Sequence, residues 1–348
     1  MISYSENWMR AVEFRRPEWI PIWADFAPVA WRTHRERLEE IVLRHPMIFR
    51  GYRAGWRDFD AAYDVGNRQG ELYRDNWGCV WDNIHGGIEG QVVGHPLADW
   101  DALKDYQPPD PRKFSERGTV DWAKITAQFA EAKAIGENCW GNGERLFDRL
   151  YFLRGFENLM MDIATDDPHL PRLIEMLTAH ELQLIDLNLA AGANIISFHT
   201  DIGTQNALMI SPAQFRRHIK PMFKTLFQRC RQGGAHVALS SDGCLLEIVN
   251  DLIECGISTH DPQLRANTID GIARAYKGKV CANVDLDRQM FPFCKPDDIR
   301  RQVEEVVRKV GSPDGGLMLC GLVWDEITPL ANIEALCAAL EEFRLYYA

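Results

Sequence analysis

Beyond its first third this chain switches repeatedly between two hydrophobic periods, and that alternation constrains its fold more than any other feature. Short apolar runs of strand length occupy residues 134–137, 195–199, 236–240, 257–260, 280–284 and 317–320, with one earlier run at 20–24. Helical patterns occupy 122–133, 146–165, 168–191, 214–232, 245–255, 268–276, 296–310 and 331–346. A period near two marks a strand, and one near 3.6 marks a helix. Strands separated by helices pair in parallel, because each helix returns the chain across the sheet before the next strand begins. With 348 residues and seven such runs, the pattern predicts an α/β chain folded as a (β/α)8 TIM barrel, distorted where the eighth strand is hard to find. No Gly-x-Gly-x-x-Gly turn follows a strand, which argues against a dinucleotide-binding sheet. Residues 1–348 are expected to form a single barrel domain, with an irregular N-terminal part over 1–115 and regular βα units over 116–348.

The irregular part is rich in tryptophan and arginine, among them Trp23, Trp31, Arg32, Arg35, Arg37, Arg53, Trp56 and Arg57. A hairpin is expected over 80–93, turning at Gly86-Gly87, and Pro108, Pro109 and Pro111 mark a loop. The eighth strand is expected somewhere in this third.

Hydrophobic residues make up 46% and charged residues 26%, an ordinary balance for a chain with a sizeable core. The net charge of −11 argues against nucleic acid, because phosphate binding needs a basic face. No apolar run is long enough to cross a bilayer. The first residues lack a basic stretch followed by an apolar one, so no secretory signal is read there. Nine cysteines are scattered without a framework spacing, and a reducing, cytoplasmic setting is expected.

In a parallel barrel the functional groups sit where strands end and helices begin. The segment from Ile195 to Pro212 has this form. An apolar run leads to His199, Asp201 and Gln205, with Gly203 among them, before Ser211-Pro212 starts a helix. The form recurs at His236 to Leu239, followed by the polar turn Ser240-Ser241-Asp242-Gly243. The other strand ends carry Asp25, Glu137, His260 with Asp261, Asn283 with Asp285, and Cys320. Carboxylates crowded into one cavity oppose each other's ionisation, which is how a general acid is made. A cation can also relieve the repulsion. Each residue has a plainer reading. Asp242 and Asp261 fit helix N-caps. His199 fits a satisfied core histidine, and Cys320 a core thiol. Arg154 fits either an anchor for a substrate carboxylate or a structural ion pair.

The set of motifs resembles the uroporphyrinogen decarboxylase superfamily. The resemblance is carried by Tyr73-Arg74-Asp75-Asn76-Trp77-Gly78-Cys79-Val80-Trp81, by His95-Pro96-Leu97 with Trp100, and by Leu153-Arg154-Gly155-Phe156-Glu157-Asn158-Leu159. It continues through the Asp201 segment, the Ser241-Asp242-Gly243 turn, Gly315-Gly316-Leu317-Met318-Leu319 and Pro329-Leu330-Ala331-Asn332-Ile333. The superfamily holds the haem-pathway decarboxylase and cobalamin-dependent methyltransferases of the same fold. Two departures stand out. The arginine block with which the decarboxylase holds its acidic substrate is missing from the stretch Ala24 to Arg35, where Asp25 stands instead. The His-x-Cys zinc pair of the methyltransferases is replaced by Ser240-Ser241-Asp242.

The resemblance therefore implies an enzyme on the methyltransferase side. It would demethylate a small methylated or methoxylated substrate and pass the methyl group to a corrinoid on a partner protein. His199 and Asp201 are expected to be catalytic. Asp25, Arg154, Gln205 and Asp285 are expected to bind substrate, and Glu137, Asp242 and His260 to hold a divalent metal such as zinc. A homodimer belongs to the same set of expectations. Two other readings stay open: a decarboxylase of a porphyrinogen or smaller acid, and a non-catalytic barrel that binds a corrinoid or tetrapyrrole.

Overall fold

The computed structural model describes residues 2–348. Helix α1 (Tyr4–Val12) precedes β1 (Ile22–Phe26) and α2 (Pro28–Arg44). Three short strands follow, β2 (Tyr73–Arg74), β3 (Val80–Asp82) and β4 (Gln91–Gly94). Next come α3 (Trp122–Ala134), β5 (Trp140–Asn142), α4 (Leu146–Arg154), α5 (Phe156–Thr165), α6 (Leu170–Ala191) and β6 (Ile195–His199). A short turn α7 (Pro212–Gln214) and a π-helical turn lead into α8 (Lys220–Gln232), then β7 (His236–Ser240), α9 (Val249–Cys255) and β8 (Thr259–His260). The chain ends with α10 (Leu264–Asn267), α11 (Ile269–Tyr276), β9 (Cys281–Asp285), α12 (Pro296–Val310), β10 (Leu317–Val323) and α13 (Leu330–Phe343). The seven strands of the alternating pattern are parallel, and the fold class is a distorted (β/α)8 barrel.

The chain divides into two compact units. The first holds its opening residues, Leu72–Asp82 and Gln91–His260. The second holds Asn7–Glu71, Asn83–Gly90 and Asp261–Ala348.

In the first unit β5, β6, β7 and β8 pair in that order, with Asn142 opposite Ser197, His199 opposite Ser240 and Leu239 opposite His260. Residues in register share a face, so the strands sort their side chains by parity. Trp140, Asn142, Ser197, His199 and Ser240 share one face, where they are exposed or half-buried. Ile196, Phe198, Val237 and Leu239 share the other, and all are buried. Phe198 meets Phe227 of α8 at 5.1 Å between ring centroids, which identifies this as the helix-covered face. β2, β3 and β4 form a separate antiparallel sheet, and the expected hairpin is its β3–β4 pair.

In the second unit β1, β10 and β9 pair in parallel, and α12 and α13 pack together beside them. Helix α12 buries Ile299, Val303, Val306, Val307 and Val310, one stripe at helical spacing. Each such side chain contributes roughly 1.5–3 kcal/mol of transfer free energy before entropy is subtracted. Asp298 accepts the Lys295 N–H at 2.9 Å and fixes the start of this helix.

Four expectations are corrected. Residues 134–137 are not a strand. Helix α3 runs to Ala134, the Ile135 N–H closes on Glu131 and Ala132, and the Glu137 N–H returns to the Ala132 carbonyl. The strand is β5, which begins six residues after the start of the apolar run. The helix expected over 146–165 is two helices, broken at Gly155, whose φ of 89° is open to glycine and costly for other residues. The helix expected over 245–255 begins at Val249. Among the described residues, the first third supplies β1 and the antiparallel strands, and no eighth parallel strand.

Candidate active site

The loops after β6 and β7 are locked to each other. The Thr200 N–H continues the strand ladder to the Ser240 carbonyl at 2.9 Å. The Cys244 N–H reaches the Thr204 carbonyl at 2.8 Å, and the Ile202 N–H reaches Ser241 Oγ at 3.2 Å. The two backbones approach so closely that a Cβ on Gly243 would lie 2.3 Å from the Gly203 carbonyl carbon. Only glycine fits there, and that contact fixes the positions of Asp201 and Asp242.

Helix α4 is tied to the same place. The buried Thr200 hydroxyl accepts the N–H groups of Phe147 at 2.8 Å and Asp148 at 3.2 Å, capping the helix from a distant loop. Asp148, in the first turn, accepts the Asp201 N–H at 2.8 Å. Asp201 in turn accepts the Asp242 N–H at 3.0 Å. Two carboxyls are thereby held side by side, one on a helix and one at a strand end.

Burial and the neighbouring Asp201 charge push the Asp148 carboxyl up to about 7. The Asp201 N–H, the Tyr151 hydroxyl and Arg145 oppose that rise without overcoming it. Burial and Asp148 also raise the Tyr151 hydroxyl. The pair therefore carries a proton that is exchangeable at neutral pH, which is what a general acid requires.

A cavity of about 870 Å³ has Trp140, Asn142, Glu144, Arg145, His180 and His199 in its wall, and Arg145 and His199 are the lining residues nearest in sequence to the pair. His199 Nε2 lies 3.3 Å from Ser197 Oγ on the polar face of β6. One side of the cavity rests on Arg149, which is fully buried. Its guanidinium bonds Glu144 at 3.0 Å, Glu116 and Asp75, and stacks 4.7 Å over Trp77. Burial would raise the Glu144 carboxyl, but Arg149 outweighs it and holds the group low. Glu181 accepts the Glu144 N–H at 3.1 Å, and burial with the Glu144 charge raises it well above the ordinary range.

His199 and Asp201 thus end the same strand, as expected, and Asp242 joins them through its backbone N–H. Asp25 lies at the end of β1 in the second unit, where surrounding protein raises its carboxyl against the Phe26 N–H and Arg57. The structure places the remaining expected residues as follows. Arg154 is the structural member of its two readings: it bonds Asp162 at 2.8 Å and the carbonyls of Leu97 and Ala98, and lies 4.2 Å over Trp100. Asp285 is buried, pairs with Arg288 at 2.8 Å and takes the Cys320 thiol at 3.8 Å, so its carboxylate is engaged inside the protein. Gln205 is exposed in the turn closed by Thr204 and Ala207. Glu137 precedes β5, at the end of the strand opposite to the site. His260 shares the register of Leu239 and is fully buried. Among the described residues no three His, Cys, Asp or Glu side chains converge as a metal ion would need. Glu137, Asp242 and His260 therefore do not come together as the divalent-metal site expected of them.

The sequence reading passed over Asp148, Tyr151, Glu144, Arg149 and Glu181. The signal for two of them was present, since Asp148-Arg149 places adjacent charges inside an apolar helical pattern.

His260 makes a stability prediction. Its burial pushes the imidazole down to about 4, against 6.5 unfolded. Between those values the unfolded chain binds the proton and the folded chain does not. Stability therefore falls as the pH drops from 6.5 towards 4, by roughly 3 kcal/mol in the limit. His260→Asn should flatten that acid limb in urea titrations run at pH 7, 5.5 and 4.5. Asp148 slopes the other way in both proteins, so the difference isolates the histidine. An unchanged acid limb would assign the histidine an ordinary titration.

The fold defines a class, the distorted α/β barrel, with two carboxyls held side by side where α4 meets the end of β6. A sequence description of the family "Uroporphyrinogen decarboxylase" matches residues 88–343. The chain belongs to the uroporphyrinogen decarboxylase family. It is 26% identical over 177 residues to the uroporphyrinogen decarboxylases of two strains of Thermus thermophilus, a match covering 49% of this chain and 48% of theirs. It therefore spans about half the length of the curated relatives it matches. A methyltransferase from Methanosarcina mazei has the same fold, with a TM-score of 0.65 and 16% identity over all of both chains. No helix among the described residues is long and apolar enough to cross a membrane.

Proposed function

We propose that this family member transfers a methyl group from a small methylated or methoxylated substrate to a corrinoid carried by a partner protein. The observation that carries the reading is the Asp148–Asp201 pair, with a carboxyl near 7 where most carboxyls are ionised. When an external nucleophile takes the methyl carbon, the carbon–oxygen bond breaks and its electron pair stays on oxygen. Asp148 delivers the proton which that oxygen then needs. Asp201, whose charge keeps the proton on Asp148, and His199 at the cavity wall return it from solvent. The corrinoid supplies the nucleophile as a second substrate. No step runs through a protein-bound metal.

The cavity supports a neutral substrate over a polycarboxylate. Its charged lining is Glu116, Asp121 and Glu144 against Lys124 and Arg145, three negative to two positive. A macrocycle bearing many carboxylates meets repulsion there.

The test is an anaerobic assay of the purified protein with a panel of methyl ethers and reduced cobalamin as acceptor, followed by the corrinoid absorbance. Methyl transfer is expected, and the rate should fall as pH rises above about 7, because Asp148 then loses the proton it donates. Coproporphyrinogen formation in parallel should stay at background. Porphyrinogen turnover at the rate of an authentic decarboxylase, without methyl transfer, would overturn the reading.

A further inference from the structure

Residues 28–67, the tryptophan- and arginine-rich part of the first third, have no part in the chemistry above and build a pocket of their own in the second unit. The pocket measures about 260 Å³. That is near the lower end of ligand pockets, which run from roughly 300 to 1,000 Å³, so it suits one ring with a substituent. Its walls are aromatic. Trp31 stacks on Phe59 at 6.2 Å and on Tyr52 at 6.1 Å. Arg57 lies 5.1 Å over the Trp31 ring and Arg32 lies 3.9 Å over Tyr63. Cation–π contacts that matter occur about once per 70–80 residues. Here Arg32, Arg35, Arg53 and Arg57 each make one with rings between positions 31 and 63.

The cations differ in what satisfies them. Arg32 donates to the Ala61 carbonyl at 2.7 Å. Arg35 holds both oxygens of Asp60, at 2.8 and 3.0 Å. Arg57 is exposed, lines the pocket, and has neither an ion pair nor a hydrogen bond among the described residues. The acidic residues of the lining are engaged by their own turns. Asp58 accepts the Asp60 N–H at 3.0 Å, and Asp64 accepts those of Gly66 at 2.8 Å and Asn67 at 3.1 Å. The Asp25 charge reaches Arg57 through space without bonding it. A guanidinium stacked on an indole keeps its in-plane N–H donors free, in the fork that matches a carboxylate.

We infer that this pocket binds a small aromatic carboxylate, its ring among Trp31, Phe59 and Tyr63 and its carboxylate on the fork of Arg57. The ring alone gains contact area, and the anion alone finds only an exposed cation, so both parts are required. The inference does not rest on the methyl-transfer reading.

The experiment is calorimetric titration of the full chain with benzoate, benzamide and acetate. Benzoate should bind at least tenfold more tightly than benzamide, which lacks the charge, and than acetate, which lacks the ring. Arg57→Gln should weaken benzoate at least tenfold and move the melting temperature by no more than a degree or two, since the exposed side chain has no ion pair or hydrogen bond among the described residues to lose. Equal affinity for benzoate and benzamide would overturn the inference. So would benzoate binding that survives Arg57→Gln.

Discussion

Asp148→Asn should melt higher than the parent at pH 8 and lose most of its catalysis. The Asp148 carboxyl titrates near 3.8 in an unfolded chain and at about 7 in the fold. Between those values the folded state holds a proton that the unfolded state has released. Stability therefore falls as pH rises from about 4 to 7, and stays lowered above 7. The gap of about three units corresponds to roughly 4 kcal/mol, taken as an order of magnitude. Asparagine is neutral throughout and its Oδ1 can still accept the Asp201 N–H. It should recover part of that energy at pH 8, or roughly 2–5 °C in Tm. At pH 5, only part of the way down that fall, the gap between the two proteins should be smaller, and it should close near pH 4. His260 is uncharged in both states at pH 8 and does not interfere. The same substitution removes the proton donor, and general acids contribute roughly 10²- to 10⁴-fold. A lower Tm at pH 8 with methyl transfer intact would make Asp148 structural and remove the support for chemistry at the end of β6.

Arg149→Met should be the opposite case, with a large loss of stability. Arg149 and Asp75 have fully buried side chains, and Glu144 is nearly so. Burial disfavours the guanidinium charge, but Glu144, Glu116, Cys79 and Asp75 outweigh it and hold the group charged. A hydrophobic residue in its place strands several buried carboxylates without a cation, which typically costs about 3–5 kcal/mol. Urea denaturation at pH 7 measures it. Without Arg149 the Glu144 carboxyl has only burial acting on it strongly, so its titration moves up. The variant should then regain stability relative to the parent as pH falls from 8 to 5. Adding Glu144→Gln should restore part of the loss at pH 8. A cost below about 1 kcal/mol would show that the cluster is hydrated and weak.

The sequence carried the fold class because hydrophobic period is a local property. The runs at 195–199 and 236–240 match β6 and β7 residue for residue, and the run at 317–320 lies inside β10. It also carried His199 and Asp201, since a polar residue straight after an apolar strand is a local signal too. It did not carry β5. That strand is only Trp140–Asn142, too short for alternation to be read, while the apolar end of α3 imitated a strand. That error put Glu137 in the site and left Glu144 out. Asp148 and Arg149 are adjacent in sequence, yet one meets Asp201 and the other meets Asp75, Glu116 and Glu144. Arg154, five residues further along α4, turns to Asp162. A pKa depends on burial and on charges from distant parts of the chain, and neither is encoded at the residue itself. Alternation thus determined the barrel from sequence alone. Which carboxyl holds the proton was decided only when α4 was capped by Thr200 beside the end of β6.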